Sequence, residues 1–399
     1  MSKFTLPINW QEDYWDVIDF TDVVEVHGKL REDFIGGGRS YFSEPDPSKK
    51  MVENFIKEAH SRNIEVNYLL NATCIGNVEA TAKGHKQIRK TLDWLSTIDV
   101  DTITLSLPML AHIIKRYYPH FKISVSTLAD VDCLEKAKYW EDIGVDVITL
   151  SYTAMNRNFL QLKRITENCS FISQLIPNTF CRKGCPVMTM HGNFTSHAST
   201  TREKKKRYNQ DYYIISCIEK DFSDPERVIK SNWIRPEDLE IYEKLGVKRF
   251  KLLERSLKSE HISKILDAYR NHSYDGNLYD IAPSVSKCMF SENPTIPSKA
   301  INELRKMPLS HLLNLRKNVK RLNEATKQEA HINDNFYIDN KKLDGAIQYF
   351  IDRGCMQTTC DDCNYCEELT KKAVKFQNID GYKKIFADII DDVITGKFV

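Results

Sequence analysis

Strand-like and helix-like segments alternate along about the first 270 residues of this 399-residue chain, and that alternation limits the fold more than any other feature. Short apolar, β-branched runs stand at 23–28 (VVEVHG), 65–71 (EVNYLLN), 102–107 (TITLSL), 122–126 (KISVS), 147–152 (VITLSY), 171–177 and 249–254 (RFKLLE). Helical patterns follow them at 49–62, 80–98, 109–117, 131–143, 158–167, 236–245 and 260–271. Buried parallel strands carry such continuous apolar runs, and repeated β/α units place them in one parallel sheet. Seven units are visible, and an eighth strand is expected near 229–234. The pattern predicts an α/β protein with a (β/α)8 TIM-type barrel over residues 1–281. An open doubly wound sheet is the alternative. No Gly-x-Gly-x-x-Gly follows the first strand, so its nucleotide-binding form lacks the usual support.

From Ala282 the pattern changes. Pro283, Pro294 and Pro297 punctuate a linker, and a smaller helix-rich, cysteine-bearing region is expected over 282–399, with helices at 367–376 and 382–394. A net charge of +2 argues against a dedicated DNA binder, whose basic face would raise the total. The basic run Arg202-Glu203-Lys204-Lys205-Lys206-Arg207 reads first as a solvated loop. No stretch approaches the roughly 18–20 apolar residues that span a bilayer, so no membrane partner is expected. The acidic N-terminus lacks a signal pattern, and a cytoplasmic location is the expectation. Thiols stay reduced there, so clustered cysteines among the eleven read as metal ligands or catalytic groups.

Two cysteine groups carry the chemistry. Cys355, Cys360, Cys363 and Cys366 form Cys-x4-Cys-x2-Cys-x2-Cys. Zinc sites usually pair two separated Cys-x2-Cys units, whereas successive two-residue intervals occur in ferredoxin loops. A [4Fe–4S] cluster is the leading expectation, with Zn or free thiols as alternatives. The second group is Cys181-Arg182-Lys183-Gly184-Cys185, just beyond the C-terminal end of a strand, where barrel active sites form. Cys217, and Cys74 after another strand, are candidates to complete it. Packing residues are the plainer reading of those two, since free cysteine is among the most buried residue types. His191 and His197 are candidate ligands or acid/base groups, and loop-capping histidines otherwise.

Other residues at strand ends are candidates for substrate contact: Asn71, Ser126, Thr127, and Arg255 with Glu254 beside it. Gly36-Gly37-Gly38-Arg39 is a candidate anion cradle, with Arg39 as the charge partner. Glu237 and Asp238 read first as helix-start residues after Arg235-Pro236. Cys133, Cys169 and Cys288 lie on or beside expected helices and read as structural. Neither His-Glu-x-x-His nor Gly-x-Ser-x-Gly occurs.

The blocks SVSTLADV, GVDVITLSYTAMNR, PNTFCRKGCP and IRPEDLEIYEKLGVKRFKLLER, in this order, resemble the collagenase-like peptidase family U-32 over roughly residues 20–280. The family name implies proteolysis. Similar barrels in anaerobic ubiquinone synthesis and tRNA hydroxylation hold a [4Fe–4S] cluster on four cysteines and hydroxylate without oxygen. On this resemblance Cys181 and Cys185 match the family's cysteine block, Cys217 matches a later cysteine, and Cys74 has no secure counterpart. The C-terminal motif is not a general family feature. The reading is therefore an iron–sulfur enzyme with two [4Fe–4S] clusters, the C-terminal one relaying electrons. Asn71, Arg39, His191 and Arg255 would act at the mouth on a small-molecule, peptide or RNA substrate, with an electron-donor protein as partner. Peptide hydrolysis with structural metal alone is the alternative, and a non-catalytic electron-transfer subunit a third.

Overall fold

Eight parallel strands close into a barrel in the order β1 to β8 in the computed structural model, which describes residues 2–40, 45–203, 211–282, 313, 316–317, 320, 336–355, 359–360, 363–376 and 380–396. The strands are β1 (Lys3–Pro7), β2 (Val23–Gly28), β3 (Glu65–Leu70), β4 (Thr102–Leu105), β5 (Lys122–Val125), β6 (Val147–Thr149), β7 (Ile172–Leu175) and β8 (Arg249–Lys251). The TIM-type barrel expected from the βα repeats is thus the fold. Seven of its strands coincide with the seven runs. The eighth differs: it is β1, which closes the ring by pairing Lys3–Thr5 with Arg249–Lys251 on one side and Phe4–Pro7 with β2 on the other.

Residues 229–234 form no strand. Ile229 ends a short helix, Glu226–Ile229, and the following polar stretch straps the end of β7. Asn232 N–H donates to the Cys181 carbonyl at 3.1 Å, and Ile234 N–H to the Pro177 carbonyl at 2.8 Å.

The helices that follow the strands show why the sequence reads so clearly. In Lys49–Ser61, Ser48 caps the first turn by accepting from Met51 N–H, and Val52, Ile56 and Ala59 bury one stripe. Pro108 opens Pro108–Tyr117 at a position where its missing N–H costs nothing. Gly144, at φ +85°, ends Leu134–Ile143 in the left-handed conformation.

Inside the barrel the facing side chains are polar. Asn67 donates to Glu25 at 3.0 Å, Thr104 to Asn67 at 2.7 Å, Thr149 to Gln174 at 2.8 Å, and Gln174 to Thr5 at 3.0 Å. These bonds offset the cost of about 1–3 kcal/mol that an unmet buried polar atom carries.

The chain divides into two compact units. One comprises residues 1–209, 232–274 and 345–359; the other comprises 210–231, 275–344 and 360–399. The core of the second joins Ile215, Ile218 and Phe222 of the helix Tyr212–Ser223 to Tyr382, Phe386 and Ile389 of the helix Asp380–Ile394. It also holds a two-stranded antiparallel sheet, β9 (Phe336–Ile338) and β10 (Val374–Phe376). The helix expected over 367–376 therefore runs as Tyr365–Ala373 and gives way to β10. A β-branched and an aromatic residue there pair with β9, which overrides helical continuation. The Asn277 side chain braces β9, accepting from Ile338 N–H at 2.9 Å and donating to the Phe336 carbonyl at 3.0 Å. The prolines of the expected linker, Cys288, and Lys204–Arg207 of the basic run lie outside the described residues.

Candidate active site at the barrel mouth

The C-terminal ends of β2, β3, β6, β7 and β8 each deliver a polar or sulfur-bearing side chain to the mouth. After β8, Glu254 is buried and forms an ion pair and hydrogen bond with Arg39 from the loop after β2. Burial alone would raise the Glu254 carboxyl. The charges of Arg39 and Arg255, with hydrogen bonds from Arg39 and Ser256 N–H, outweigh it and hold the pKa below the ordinary carboxylate value. Glu254 is thus a fixed anion that aims the Arg39 guanidinium.

The glycine loop before Arg39 is held from several sides. Gly36 N–H donates to Asp33 Oδ1 at 2.6 Å, Gly37 N–H to Ser199 Oγ at 2.8 Å, and Gly38 N–H to Asn71 Oδ1 at 3.2 Å. All three amides are spent on the protein, so the loop is not the anion cradle that its sequence suggested. Glycine is needed for close approach instead: a Cβ on Gly38 would stand 2.4 Å from Leu128 Cδ1. Asn71 is committed in the same way. Its Nδ2 donates to Ser126 Oγ at 3.2 Å while Oδ1 holds Gly38, so it joins the ends of β3 and β5 around the Arg39 loop.

Below this layer two basic side chains are buried. Lys251, the last residue of β8, has its pKa lowered to about 8, by burial first, with Glu25 opposing and Arg255 and Arg249 adding to the fall. His27 is pushed well below its ordinary value by burial and by Lys251, Arg255 and Arg39, so it is neutral. Arg255 is buried, and its charge is felt at Glu254, His27 and Lys251.

The cysteine loop after β7 is the best-braced part of the rim. Asn178 bridges to β8's end, donating to the Leu253 carbonyl at 2.6 Å and accepting from Leu253 N–H at 2.9 Å. Gly184 N–H donates to the Thr153 carbonyl at 2.9 Å, tying the loop to the end of β6. Cys181 and Cys185 are half-buried thiols outside any disulfide. Tyr152 lies against them: desolvation first, then the Cys181 sulfur by charge and hydrogen bond, then Cys185, raise its phenol well above the ordinary value, with Arg39 partly opposing. Cys181, Cys185, Tyr152, Arg39 and Glu254 therefore share one quadrant of the mouth.

The remaining candidates are placed as follows. Cys74 is half-buried after β3 and accepts from Gly76 N–H at 3.4 Å. His191 and His197 lie on the helix Met188–Ala198, which docks on the loop after β3 through Thr73: its N–H donates to Ser196 Oγ and its hydroxyl to Asn193, both at 2.8 Å. Cys217 lies within the helix Tyr212–Ser223 of the second unit, not at a strand end. Of the C-terminal cysteines, Cys355 belongs to the barrel unit, and Cys360, Cys363 and Cys366 belong to the second. Tyr152 and Lys183 are the site residues that motif reading missed. An aromatic residue directly after a barrel strand, and a lysine between two cysteines, were the available signals.

The donor chemistry at the mouth, two thiols on a braced loop, is of the soft, thiophilic kind. Among the described residues, however, no three His, Cys, Asp or Glu side chains gather as a metal-holding set. The four C-terminal cysteines do not gather as such a set either. A four-sulfur cage at that motif does not fit this arrangement.

A parallel eight-stranded barrel with thiols and an Arg39–Glu254 ion pair at its C-terminal rim defines the class of protein: a TIM-type barrel with polar groups on the face where barrel active sites form. The chain belongs to Peptidase family U32, whose sequence model matches residues 43–277. It is 31% identical over 346 residues, 86% of each chain, to an uncharacterized protease of Methanocaldococcus jannaschii. The solved U32 peptidase Mk0906 is similar with a TM-score of 0.49 and 24% identity, covering 64% of this chain and 93% of that one. A chitinase of Rhizomucor miehei overlaps at a TM-score of 0.38 and 10% identity, covering 68% of this chain and all (100%) of that one. Among the described residues no helix is long and apolar enough to cross a membrane.

Proposed function

We propose that this member of the U32 family is a metal-dependent redox enzyme. Its barrel mouth would hold an iron–sulfur centre through Cys181 and Cys185, and it would modify its substrate, by a hydroxylation-type reaction, without molecular oxygen. The observation that carries the reading is the shared quadrant of Cys181, Cys185, Tyr152 and the Arg39–Glu254 pair at the rim. When bound, a [4Fe–4S] centre supplies one-electron transfer.

The chain's own groups supply the rest. Arg39, aimed by Glu254, offers a guanidinium to an anionic or carbonyl-bearing substrate. Tyr152 holds a proton on Oη beside the Cys181 sulfur, and its raised pKa keeps that proton in place across the neutral range. The bracing by Asn71 and Asn178 fixes the two loops, so that little reorganisation is needed when substrate enters. Small-molecule, peptide and RNA substrates all satisfy these requirements, and an electron-donor protein is the partner that such chemistry needs.

Anaerobic purification followed by iron, sulfide and EPR measurement tests the reading. A coloured protein that loses its iron in the C181S/C185S double variant supports it. A colourless protein with stoichiometric zinc overturns it. The second reading is peptide hydrolysis with structural metal only, favoured by the protease description of the M. jannaschii relative. Peptide cleavage that survives C181S/C185S would establish it.

A further inference from the structure

Inside the barrel one amine stands apart from the hydrogen-bonded layer around it. Lys251 faces the lumen: its partner on β1 is Thr5, whose hydroxyl accepts from Gln174 there, and paired residues on neighbouring strands share a face. His27 faces the lumen too. It stands two residues beyond Glu25 on β2, and Glu25 accepts from the lumenal Asn67. Both side chains are buried, with 6% of Lys251 and 1% of His27 exposed.

The neighbouring cations have carboxylates. Arg249 lies 3.6 Å from Glu25, Lys29 lies 3.0 Å from Asp33, and Arg39 is paired with Glu254. Among the described residues, no hydrogen bond or ion pair takes up the Lys251 Nζ, and the buried His27 Nδ1 has no hydrogen-bond partner. An ammonium held in this way has lost water and gained no acceptor, so its neutral form is favoured. Burial first, against the opposing charge of Glu25 and with help from Arg255 and Arg249, brings its pKa to about 8. A desolvated amine beside other cations is a nucleophile toward carbonyl carbon. The charges of Lys251, Arg255 and Arg39 are all felt at His27, so amine, imidazole and guanidinium groups share one small volume at the C-terminal end of the lumen.

We propose that Lys251 forms an imine with a small 2-oxo acid at this end of the lumen, with His27 as the proton carrier. The Nζ lone pair attacks the carbonyl carbon, and the C=O π pair moves onto oxygen. His27 Nδ1 carries the two amine protons in turn to that oxygen, which leaves as water as the C=N bond forms. The Arg39 guanidinium pairs with the carboxylate of the acid. The step needs no oxidant, reductant or metal, so it stands or falls separately from an iron–sulfur centre at the rim.

The test treats the full chain, free of added metal, with glyoxylate and sodium cyanoborohydride near neutral pH. Hydride reduces the imine to a stable carboxymethyl amine, and the modified lysines are mapped by mass spectrometry over time. Lys251 should be labelled at least about tenfold faster than the exposed Lys57 and Lys83, because an amine of lower pKa offers a larger free-base fraction. Labelling no faster than at those two lysines overturns the proposal. In His27→Gln, labelling of Lys251 should slow by about a hundredfold while Lys57 and Lys83 keep their rates. An unchanged Lys251 rate removes His27 as the proton carrier. Acetaldehyde, which lacks the carboxylate, should lose most of the preference for Lys251, and an equal preference overturns the oxo-acid assignment.

Discussion

The two units of this chain are stabilised by opposite means. The barrel closes through main-chain pairing and fills its lumen with hydrogen-bonded polar side chains, then places buried charges at its C-terminal rim. The second unit has an aromatic and aliphatic core between two helices more than 150 residues apart in sequence, and keeps its cysteine run on a nearby helix start. Apolar burial is non-directional and tolerates sliding, whereas paired buried charges demand fixed geometry. The difference teaches where each kind of group belongs: positional precision is concentrated at the barrel mouth.

The largest expected effect breaks the second unit alone. Phe386→Ala removes a fully buried ring and should cost about 3–5 kcal/mol, seen as faster hydrogen exchange in Tyr212–Ser223 and Asp380–Ile394 with β1–β8 unchanged. Acceleration throughout the barrel would show that the units are not energetically distinct. Glu254→Gln leaves the Arg39 charge without its anion. With a quarter of the Arg39 side chain exposed (26%), the cost should be about 2–4 kcal/mol, read by urea denaturation and confined to the barrel.

The third effect is pH dependence. Lys251 has a folded pKa of about 8 against an ordinary 10.5, so the unfolded chain binds its proton more tightly. Stability should therefore rise with pH between about 8 and 10.5, and be lost as pH falls through about 8, by up to about 3 kcal/mol. Lys251→Met should flatten that part of the profile, and an unchanged slope would remove Lys251 as its source. The smallest effect is that of Gly38→Ala, whose Cβ meets the mobile end of Leu128. About 1 kcal/mol is expected by thermal melting, with the second unit untouched.

Much of the barrel was legible because its information is local. Each βα unit carries its own strand run, cap and helix stripe, as in Ser48 with Val52, Ile56 and Ala59. β1 was not legible. Lys3–Pro7 is five residues of ordinary sequence, and what makes it a strand is the pair of open edges on β2 and β8. The candidate site divided in the same manner. Cys181 and Cys185 were candidates from their place after a strand, as were Arg39 and Arg255, and the fold puts them after β7, β2 and β8. The roles of Asn71 and the glycine loop were misjudged from sequence because their hydrogen bonds go to partners as distant as Ser199.

What the sequence determined by itself is the repeated βα pattern, the barrel it implies, and the presence of two thiol groups, since periodicity and spacing act over a few residues. The tertiary structure alone decided what holds Cys355. Cys355 is five residues from Cys360 but is held by Lys183, 172 residues away along the chain, because a side chain settles where charge and hydrogen bonds are satisfied and not where its neighbours in sequence lie.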